Sequence, residues 1–355
     1  MLIQNEKNNE AKIHSIDDLE NSHISLAIRQ VLIKKVSEDI LKEFKNIREL
    51  ATYIRRKVNP VGVEKSEEFH EVAGVDAGSQ VLPLASRRYG IISALVYSAS
   101  SGRRFFHPPE CIELPYTVAG GRSDGVINVR REAKLFETAY SFVQETPQTD
   151  LLLIDGPLAF SNLWSIRGSK KDQNRLVDAV NSLLRFCSKN NIAIAGIVKR
   201  PSARYLVYHL RLQDSTDLSD SFLLLHALKA GERTELFNPR AALSKIIRQR
   251  QFMDVIEHSI YSYYMRLSPN WAIPPFRIDI PAFSINLENE VASYCYWSSI
   301  WNGLPLPIAR ADEEVRISKR FISEVYSEMI SYLGTRIGEV SFLAPFWGEK
   351  EWIIV

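Results

Sequence analysis

Residues 71–79 read Glu-Val-Ala-Gly-Val-Asp-Ala-Gly-Ser, and residues 151–158 read Leu-Leu-Leu-Ile-Asp-Gly-Pro-Leu. In each segment an apolar run leads to an aspartate, Asp76 or Asp155, and a glycine follows closely. The pattern predicts two buried strands that end in a carboxylate, after which glycine lets the backbone turn away. If the strands are neighbours, their carboxylates meet and offer the oxygen ligands that Mg²⁺ and Mn²⁺ prefer. The alternative is that each aspartate only caps its own turn.

The periodicity of the surrounding chain predicts the order β-β-β-α-β-α-β. Apolar runs that change from strand to helix spacing place these elements at 71–75, 89–98, 111–115, 126–145, 150–154, 172–188 and 192–198. Strands that bracket helices and are apolar on both faces favour parallel pairing with right-handed crossovers. The order is that of an α/β, ribonuclease-H-like mixed sheet flanked by helices, in which the first and fourth strands are neighbours.

The sequence outside this core predicts an N-terminal tail, an N-terminal helical region and a helical insertion. Residues 1–15 have the polar composition of a disordered tail, and residues 16–60 form an N-terminal helical region with a long helix. Its apolar stripe either contacts a second subunit or partner, or packs on the protein's own surface. We assign residues 68–355 to the ribonuclease-H-like domain, with a helical insertion around 215–270 and short strands at 276–280 and 282–285.

The charge balance alone does not indicate a nucleic-acid-binding protein. The 355 residues include 44 Lys and Arg against 42 Asp and Glu, a net charge of only +2. Several arginines nevertheless cluster between the two aspartates, where they predict a basic rim that binds the DNA backbone; each pair alone would be ordinary solvated surface. They are Arg87, Arg88, Arg103, Arg104, Arg122, Arg130 and Arg131.

Cysteine usage and hydropathy indicate a cytoplasmic protein. The three cysteines are widely spaced and form no CxxC pair, which argues against a zinc site or a disulfide framework. No segment has the pattern of a signal peptide or a membrane span. The expectation is therefore a reducing, cytoplasmic location with no membrane contact.

A third carboxylate is expected from the helix between the two aspartates. The candidates are Glu132 and Glu137, which are five residues apart and so differ by about 500° around a helix. Only one of them can face the sheet edge. Glu137 lies at the margin of the inward apolar stripe, and we predict it as the ligand, with Glu132 as the alternative.

Polar residues at other strand ends complete the predicted site. Lys199 follows an apolar strand as Asp155 does, and it either contacts the scissile phosphate or is simply exposed. Arg200 follows it as a further predicted DNA contact, and Ser79 either binds a phosphate of the DNA or closes its turn.

The C-terminal third offers further candidates. Alternation places Arg277 on the same face as Asp279, as part of a site that contacts DNA or as a polar outer face. Asp312 begins a predicted helix, where it either caps the helix or binds the metal.

Taken together, these segments resemble the NurA nuclease family, the partner of the HerA DNA-translocating ATPase in archaea and some bacteria. The resemblance rests on an ordered set of motifs that spans most of the chain. They are Gly74-Val-Asp-Ala-Gly-Ser79, the helix to Glu137, Leu153-Ile-Asp-Gly-Pro-Leu158, Gly196-Ile-Val-Lys-Arg200, Arg277-Ile-Asp279 and Leu304-Pro-Leu-Pro-Ile-Ala-Arg-Ala-Asp312.

The resemblance implies DNA hydrolysis that depends on a divalent metal, usually Mn²⁺ or else Mg²⁺. We expect two ions at the site, one to activate water and one to stabilise the leaving oxygen. The resemblance implies 5′ to 3′ exonuclease and endonuclease action on single- and double-stranded DNA in the end resection of double-strand breaks. It also implies a homodimer that docks on a hexameric HerA-type ATPase. Carried over by motif, the metal ligands are Asp76, Glu137 and Asp155.

The sequence departs from the family pattern at three places. Some members have Tyr where Leu304 stands and His where Asp312 stands, and Ala77 separates Asp76 from Gly78. The missing phenol motivates one alternative, a non-catalytic DNA clamp or regulator of an ATPase. An actin-like or sugar-kinase-like ATPase is the other, although no second Gly-rich phosphate-binding hairpin is found.

Overall fold

The computed structural model describes residues 23–84, 87–114, 124–160, 169–246, 251–339 and 341. The predicted tail 1–15 and Arg122 lie outside these ranges. By its internal contacts the chain divides into two units, residues 1–53 and residues 54–355. Among the helices of the described ranges, none combines the length and the apolar composition required to cross a membrane.

The second unit contains a ten-stranded mixed sheet with helices around it. Its strands are β1 (Val61–Gly62), β2 (Val72–Pro83), β3 (Arg88–Ser98), β4 (Arg104–Phe106), β5 (Glu110–Leu114), β6 (Leu151–Asp155), β7 (Ala193–Val198), β8 (Glu232–Arg233), β9 (Ile260–Met265) and β10 (Phe276–Pro281). The described helices are α1 (His23–Val58), α2 (Asp124–Glu145), α3 (Lys170–Lys189), α4 (Tyr205–His209), α5 (Asp220–Ala227), α6 (Pro239–Ala242), α7 (Glu288–Trp297), α8 (Leu306–Val315) and α9 (Lys319–Ile337), with a 3-10 helix at Ala282–Leu287.

The strand order confirms the predicted ribonuclease-H-like arrangement. The sheet runs β1-β8-β9-β10-β7-β6-β2-β3-β4, with β5 also paired to β3. β2 pairs antiparallel with β3 and parallel with β6, and β6 pairs parallel with β7. The first and fourth strands of the predicted core are therefore neighbours, as expected.

The middle of the sheet is apolar on both faces because helices cover both. Leu151 and Leu153 of β6 pack into a buried cluster with Val291 of α7 and Ile308 of α8. Leu152 is equally buried on the other face, the side on which α2 and α3 pack. This double coverage explains the continuous apolar run that precedes Asp155.

One strand end was predicted wrongly. β2 does not stop at Val75 but continues through Asp76 to Pro83, because β3 pairs with it along the whole length. The parallel pairing with β6 ends at Val75. Asp76 is thus in the middle of β2, at the point where its pairing with β6 ends.

The glycines around Asp76 provide room for α8 rather than a turn. A Cβ at Gly74 would lie 2.5 Å from the carbonyl carbon of Pro307, and one at Gly78 would lie 2.4 Å from the carbonyl oxygen of Val315. Both ends of α8 therefore lie directly on the β2 backbone. Because α8 lies so close to β2, the carboxylate of Asp312 lies near that of Asp76.

The predicted helical insertion around 215–270 is only partly helical. α5 and α6 form there, but β8 and β9 extend the sheet instead. β9 has the sequence Ile-Tyr-Ser-Tyr-Tyr-Met, and aromatic and β-branched residues of this kind favour a buried strand. Of the two short strands predicted around Pro281, the first is β10 and the second is the 3-10 helix.

Arg277 is buried, which contradicts its predicted contact with DNA. Its side chain is 4% exposed, and its Nε donates to Asp279 Oδ1 at 2.8 Å. Asp279 also accepts the hydroxyl of Ser262 at 2.6 Å and the backbone N–H groups of Leu158 and Ala159 at 3.1 and 3.0 Å. The pair thereby fixes the loop that follows Asp155, so it positions the site without touching a substrate.

Breaking this buried pair should destabilise the fold strongly. We expect Arg277→Met to lower the free energy of unfolding by about 3–5 kcal/mol, because it leaves the Asp279 carboxylate buried without its counter-charge. Urea denaturation measures the change. The control is Arg240→Met, which removes a surface pair with Asp254 whose arginine side chain is 52% exposed and should cost less than about 1 kcal/mol. Equal losses in the two variants would contradict the assignment.

Candidate metal centre

Three aspartates meet at the edge of the sheet where β6 ends. Asp76 comes from β2, Asp155 is the last residue of β6, and Asp312 lies in α8. One carboxylate oxygen from each lies within 4.8 Å of the others. Three hard oxygen donors at this spacing form a donor set that suits Mg²⁺ or Mn²⁺.

Burial shifts the titration of two of the three aspartates, Asp76 and Asp155. Burial, and then the charge of Asp155, raise the pKa of Asp76 to about 8, and Lys199 only partly offsets this. The pKa of Asp155 is also raised, again mainly by burial, against the opposing effect of Lys199. These carboxylates are held close together at an electrostatic cost that a bound cation would relieve. The fit of the cluster to a divalent ion therefore rests on charge as well as on geometry.

Lys199 lies between two of the aspartates. It follows β7 directly, and its Nζ is 2.5 Å from Asp155 Oδ2 and 2.5 Å from Asp312 Oδ1. Burial alone would lower the pKa of this lysine, but the neighbouring carboxylates outweigh burial and raise it. The side chain is therefore a charged ammonium inside the cluster, rather than an exposed strand-end lysine.

Glu132 and Arg131 of α2 line the same cavity, which has a volume of about 780 Å³ and also exposes the three aspartates. Glu132 Oε1 accepts from Arg131 Nη2 at 2.6 Å, and its Oε2 lies 3.8 Å from the position of a Cβ on Gly156. Burial acts to lower the pKa of Arg131, but Glu132, Asp76 and Asp155 raise it. A fourth carboxylate thus lies beside the residue that follows Asp155.

Glu137 is not part of the cluster, so the structure corrects its predicted role as a ligand. Its carboxylate accepts two hydrogen bonds from Arg175 of α3, at 2.7 and 2.6 Å. It lines a separate groove between α2 and α3. Phe136 and Ala139 occupy the buried side of the helix, and the five-residue spacing directs Glu132 to the sheet edge and Glu137 towards α3.

The predicted DNA contacts fall into different surroundings. Ser79, Arg131 and Arg200 line the cavity of the aspartates. Arg88 is only 4% exposed, so like Arg277 it cannot contact DNA from its present position, because it is part of the protein interior. Four other arginines are instead held in ion pairs: Arg87 with Glu113, Arg103 with Glu145, Arg104 with Glu314 and Arg130 with the buried Asp172.

One residue of the site has no signal in the sequence: Arg316, just after α8, also lines the cavity. The alternation of β10 predicted that Arg277 and Asp279 share a face, either as part of a site or as a polar outer face. Asp279 is instead buried and holds the loop after Asp155. Leu304, where some relatives have a tyrosine, is 7% exposed and packs in the core beneath the sheet.

Comparison with known proteins places this arrangement in a family. The sequence matches the NurA domain over residues 70–317, a range that contains every residue of the cluster. The chain belongs to the NurA family. No match was found among curated protein sequences.

Solved NurA structures share the fold. The NurA nuclease from Sulfolobus solfataricus is 18% identical, with a TM-score of 0.61 over 87% of this chain and 98% of that chain. A structure of NurA with manganese is 14% identical, with a TM-score of 0.56 over 86% of this chain and 98% of that chain. At these identities the structures establish the fold, and with the family match they support a nuclease.

Proposed function

We propose that this protein is a metal-dependent deoxyribonuclease that hydrolyses phosphodiester bonds at the aspartate cluster. The observation that carries the proposal is the meeting of Asp76, Asp155 and Asp312 within 4.8 Å beside Lys199. Membership of the NurA family and the manganese in one solved NurA structure support Mn²⁺, or else Mg²⁺, as the cofactor. We propose two ions, because hydrolysis of this kind uses one ion to activate water and another to stabilise the leaving oxygen.

The roles of the residues follow from their positions. Asp76, Asp155 and Asp312 would hold the cation, which when bound supplies an activated water and stabilises the leaving oxygen. Glu132 lines the same cavity and would add a fourth carboxylate to the metal site. Arg131 and Arg200 are placed to bind the phosphates of a strand in the cavity, a contact that depends on salt and carries no sequence information. The Arg277–Asp279 pair keeps the loop after Asp155 in place.

We extend the proposal to 5′ to 3′ exonuclease and endonuclease action in DNA end resection, together with a hexameric HerA-type ATPase. Family membership supports this extension. Co-purification of the two proteins on a size-exclusion column, with DNA cleavage that requires ATP hydrolysis, would test it.

The proposed homodimer has support in α1. Leu26, Ile33 and Ile40 recur every seven residues along this helix and are 42%, 61% and 56% exposed. A heptad stripe of this kind is typical of a helix that packs against another helix. We propose that the stripe is covered by a second copy of the chain.

Polar substitutions in the stripe should therefore break the dimer. We expect the double variant Ile33→Ser with Ile40→Ser to elute as a monomer at a concentration at which the unchanged protein is a dimer, as measured by light scattering. The control replaces Lys34 and Lys42 on the same helix by serine and should remain dimeric. An unchanged mass for the stripe variant would exclude this face as the interface.

A cleavage assay tests the central function. Labelled single- and double-stranded oligonucleotides are incubated with the protein in EDTA, Mg²⁺ or Mn²⁺. We expect cleavage with Mn²⁺ and none in EDTA. DNA binding without cleavage would favour a non-catalytic clamp, and nucleotide binding without cleavage would favour an ATPase; either result would reject the nuclease.

A further inference from the structure

The ammonium group of Lys199 occupies a position suited to a cation. Its Nζ is 2.5 Å from oxygens of both Asp155 and Asp312, and these two residues supply two of the three clustered carboxylates. The charge of the third, Asp76, also acts on it. A positive group is thus already in contact with the oxygens that would bind a metal.

The Lys199 side chain can move, although its backbone is fixed by the sheet. The residue follows the last residue of β7, and its side chain is 26% exposed and faces the cavity. A lysine side chain has several rotatable bonds, so the ammonium can leave the cluster while the backbone stays in the sheet. By contrast, Asp155 is at the end of a buried strand and cannot retreat.

We propose that Lys199 is an internal counter-ion that competes with the divalent metal for the aspartate cluster. It neutralises the carboxylates before the metal arrives and withdraws as the metal binds, so it weakens metal binding. The inference rests on the metal site of the proposed function. It adds that the aspartates have two alternative counter-ions, the Lys199 ammonium and the divalent metal.

The competition has a consequence for the substrate. Once withdrawn, the ammonium remains in the cavity with Arg131 and Arg200, where a phosphate of the DNA strand can accept its hydrogen bonds. DNA that binds the released ammonium favours the metal-loaded state, so DNA and metal strengthen each other's binding by the same factor. Lys199 therefore links loading of the metal to arrival of the substrate.

The size of the effect follows from occupancy. The apparent affinity of a ligand falls in proportion to the fraction of protein that is competent to bind it. If the ammonium fills the site about nine-tenths of the time, removing it tightens metal binding about tenfold.

Titration calorimetry with Mn²⁺, in the absence of DNA, tests the proposal on the full chain. We expect Lys199→Met to bind Mn²⁺ about tenfold more tightly than the unchanged protein. The control is Arg200→Met, which removes the same charge from the next position in the same cavity and should change the affinity less than about threefold, because a charge nearer the solvent is screened more.

The outcomes separate this inference from the proposed function. If Lys199→Met binds Mn²⁺ no more tightly than the unchanged protein, the competition is rejected and the metal site stands. If neither protein binds Mn²⁺, the metal site itself is rejected and the competition with it. An equal gain in Arg200→Met would show a general charge effect and would also reject the inference.

A second measurement needs no variant. Acetylation of Lys199 by an amine-reactive ester, followed by mass spectrometry, compares the unchanged protein in EDTA with the protein in saturating Mn²⁺. We expect Mn²⁺ to increase the labelling rate of Lys199 several-fold relative to Lys171, an exposed lysine on α3. The same rate in both conditions would show that the ammonium does not leave the cluster, and would reject the proposal.

Discussion

Asp155→Asn is expected to abolish metal-dependent cleavage while the protein remains folded. Asn keeps the shape of the side chain but removes a negative charge from the centre of the cluster, between Lys199 and Asp76. A neutral amide binds a hard divalent cation far less well than a carboxylate. We expect the rate of DNA cleavage in Mn²⁺ to fall by about a thousandfold or more, since the activated water and the stabilised leaving oxygen are lost together.

A control variant lies just before the same strand. The Asp150 carboxylate accepts the backbone N–H groups of His70 and Glu71, each at 2.9 Å, and it belongs to the opposite end of β6. Asp150→Asn should lower stability by about 1 kcal/mol and leave the cleavage rate of the folded protein unchanged. Circular dichroism confirms folding in both variants. Cleavage by folded Asp155→Asn at even a tenth of the normal rate would contradict the assignment.

The two glutamates of α2, Glu132 and Glu137, should differ in their importance for DNA cleavage. We expect Glu132→Gln to reduce Mn²⁺-dependent cleavage about 10- to 100-fold, the usual range for a residue that binds or orients metal ligands. Glu132 lines the cavity with the aspartates, whereas Glu137 pairs with Arg175 in another groove. Glu137→Gln should therefore keep its activity.

Glu137→Gln should lower the free energy of unfolding rather than the cleavage rate. Its carboxylate and the Arg175 side chain are each 32% exposed, so weakening this pair should cost about 1 kcal/mol at most. Urea denaturation and the cleavage assay are measured on the same preparations. An inactive Glu137→Gln next to an active Glu132→Gln would reverse the roles and restore the expectation drawn from the sequence.

The sequence was sufficient for the core of the fold because the core depends on local patterns. The apolar runs before Asp155 and before Lys199, and the helix between them, have the lengths and periods of a ribonuclease-H-like sheet. Strand order then places Asp76 next to Asp155, and the structure brings the two together.

The errors have physical causes that a pattern along the chain does not contain. Asp76 looks like a strand end because a glycine follows it, yet Gly78 serves the close approach of Val315. Arg277 looks like a surface residue because it is charged, yet its partner Asp279 is buried with it. Glu137 lies near the apolar stripe, but the position of α3 decides which glutamate faces the site. Each of these depends on contacts between residues distant in sequence.

Diffraction from a crystal of the full chain grown with Mn²⁺ would locate the metal, because the anomalous signal identifies the ion without reference to activity. We expect a peak in contact with carboxylate oxygens of Asp76, Asp155 and Asp312, with the Lys199 ammonium moved out of the cluster. A peak bound elsewhere, or none among these aspartates at saturating Mn²⁺, would contradict this expectation.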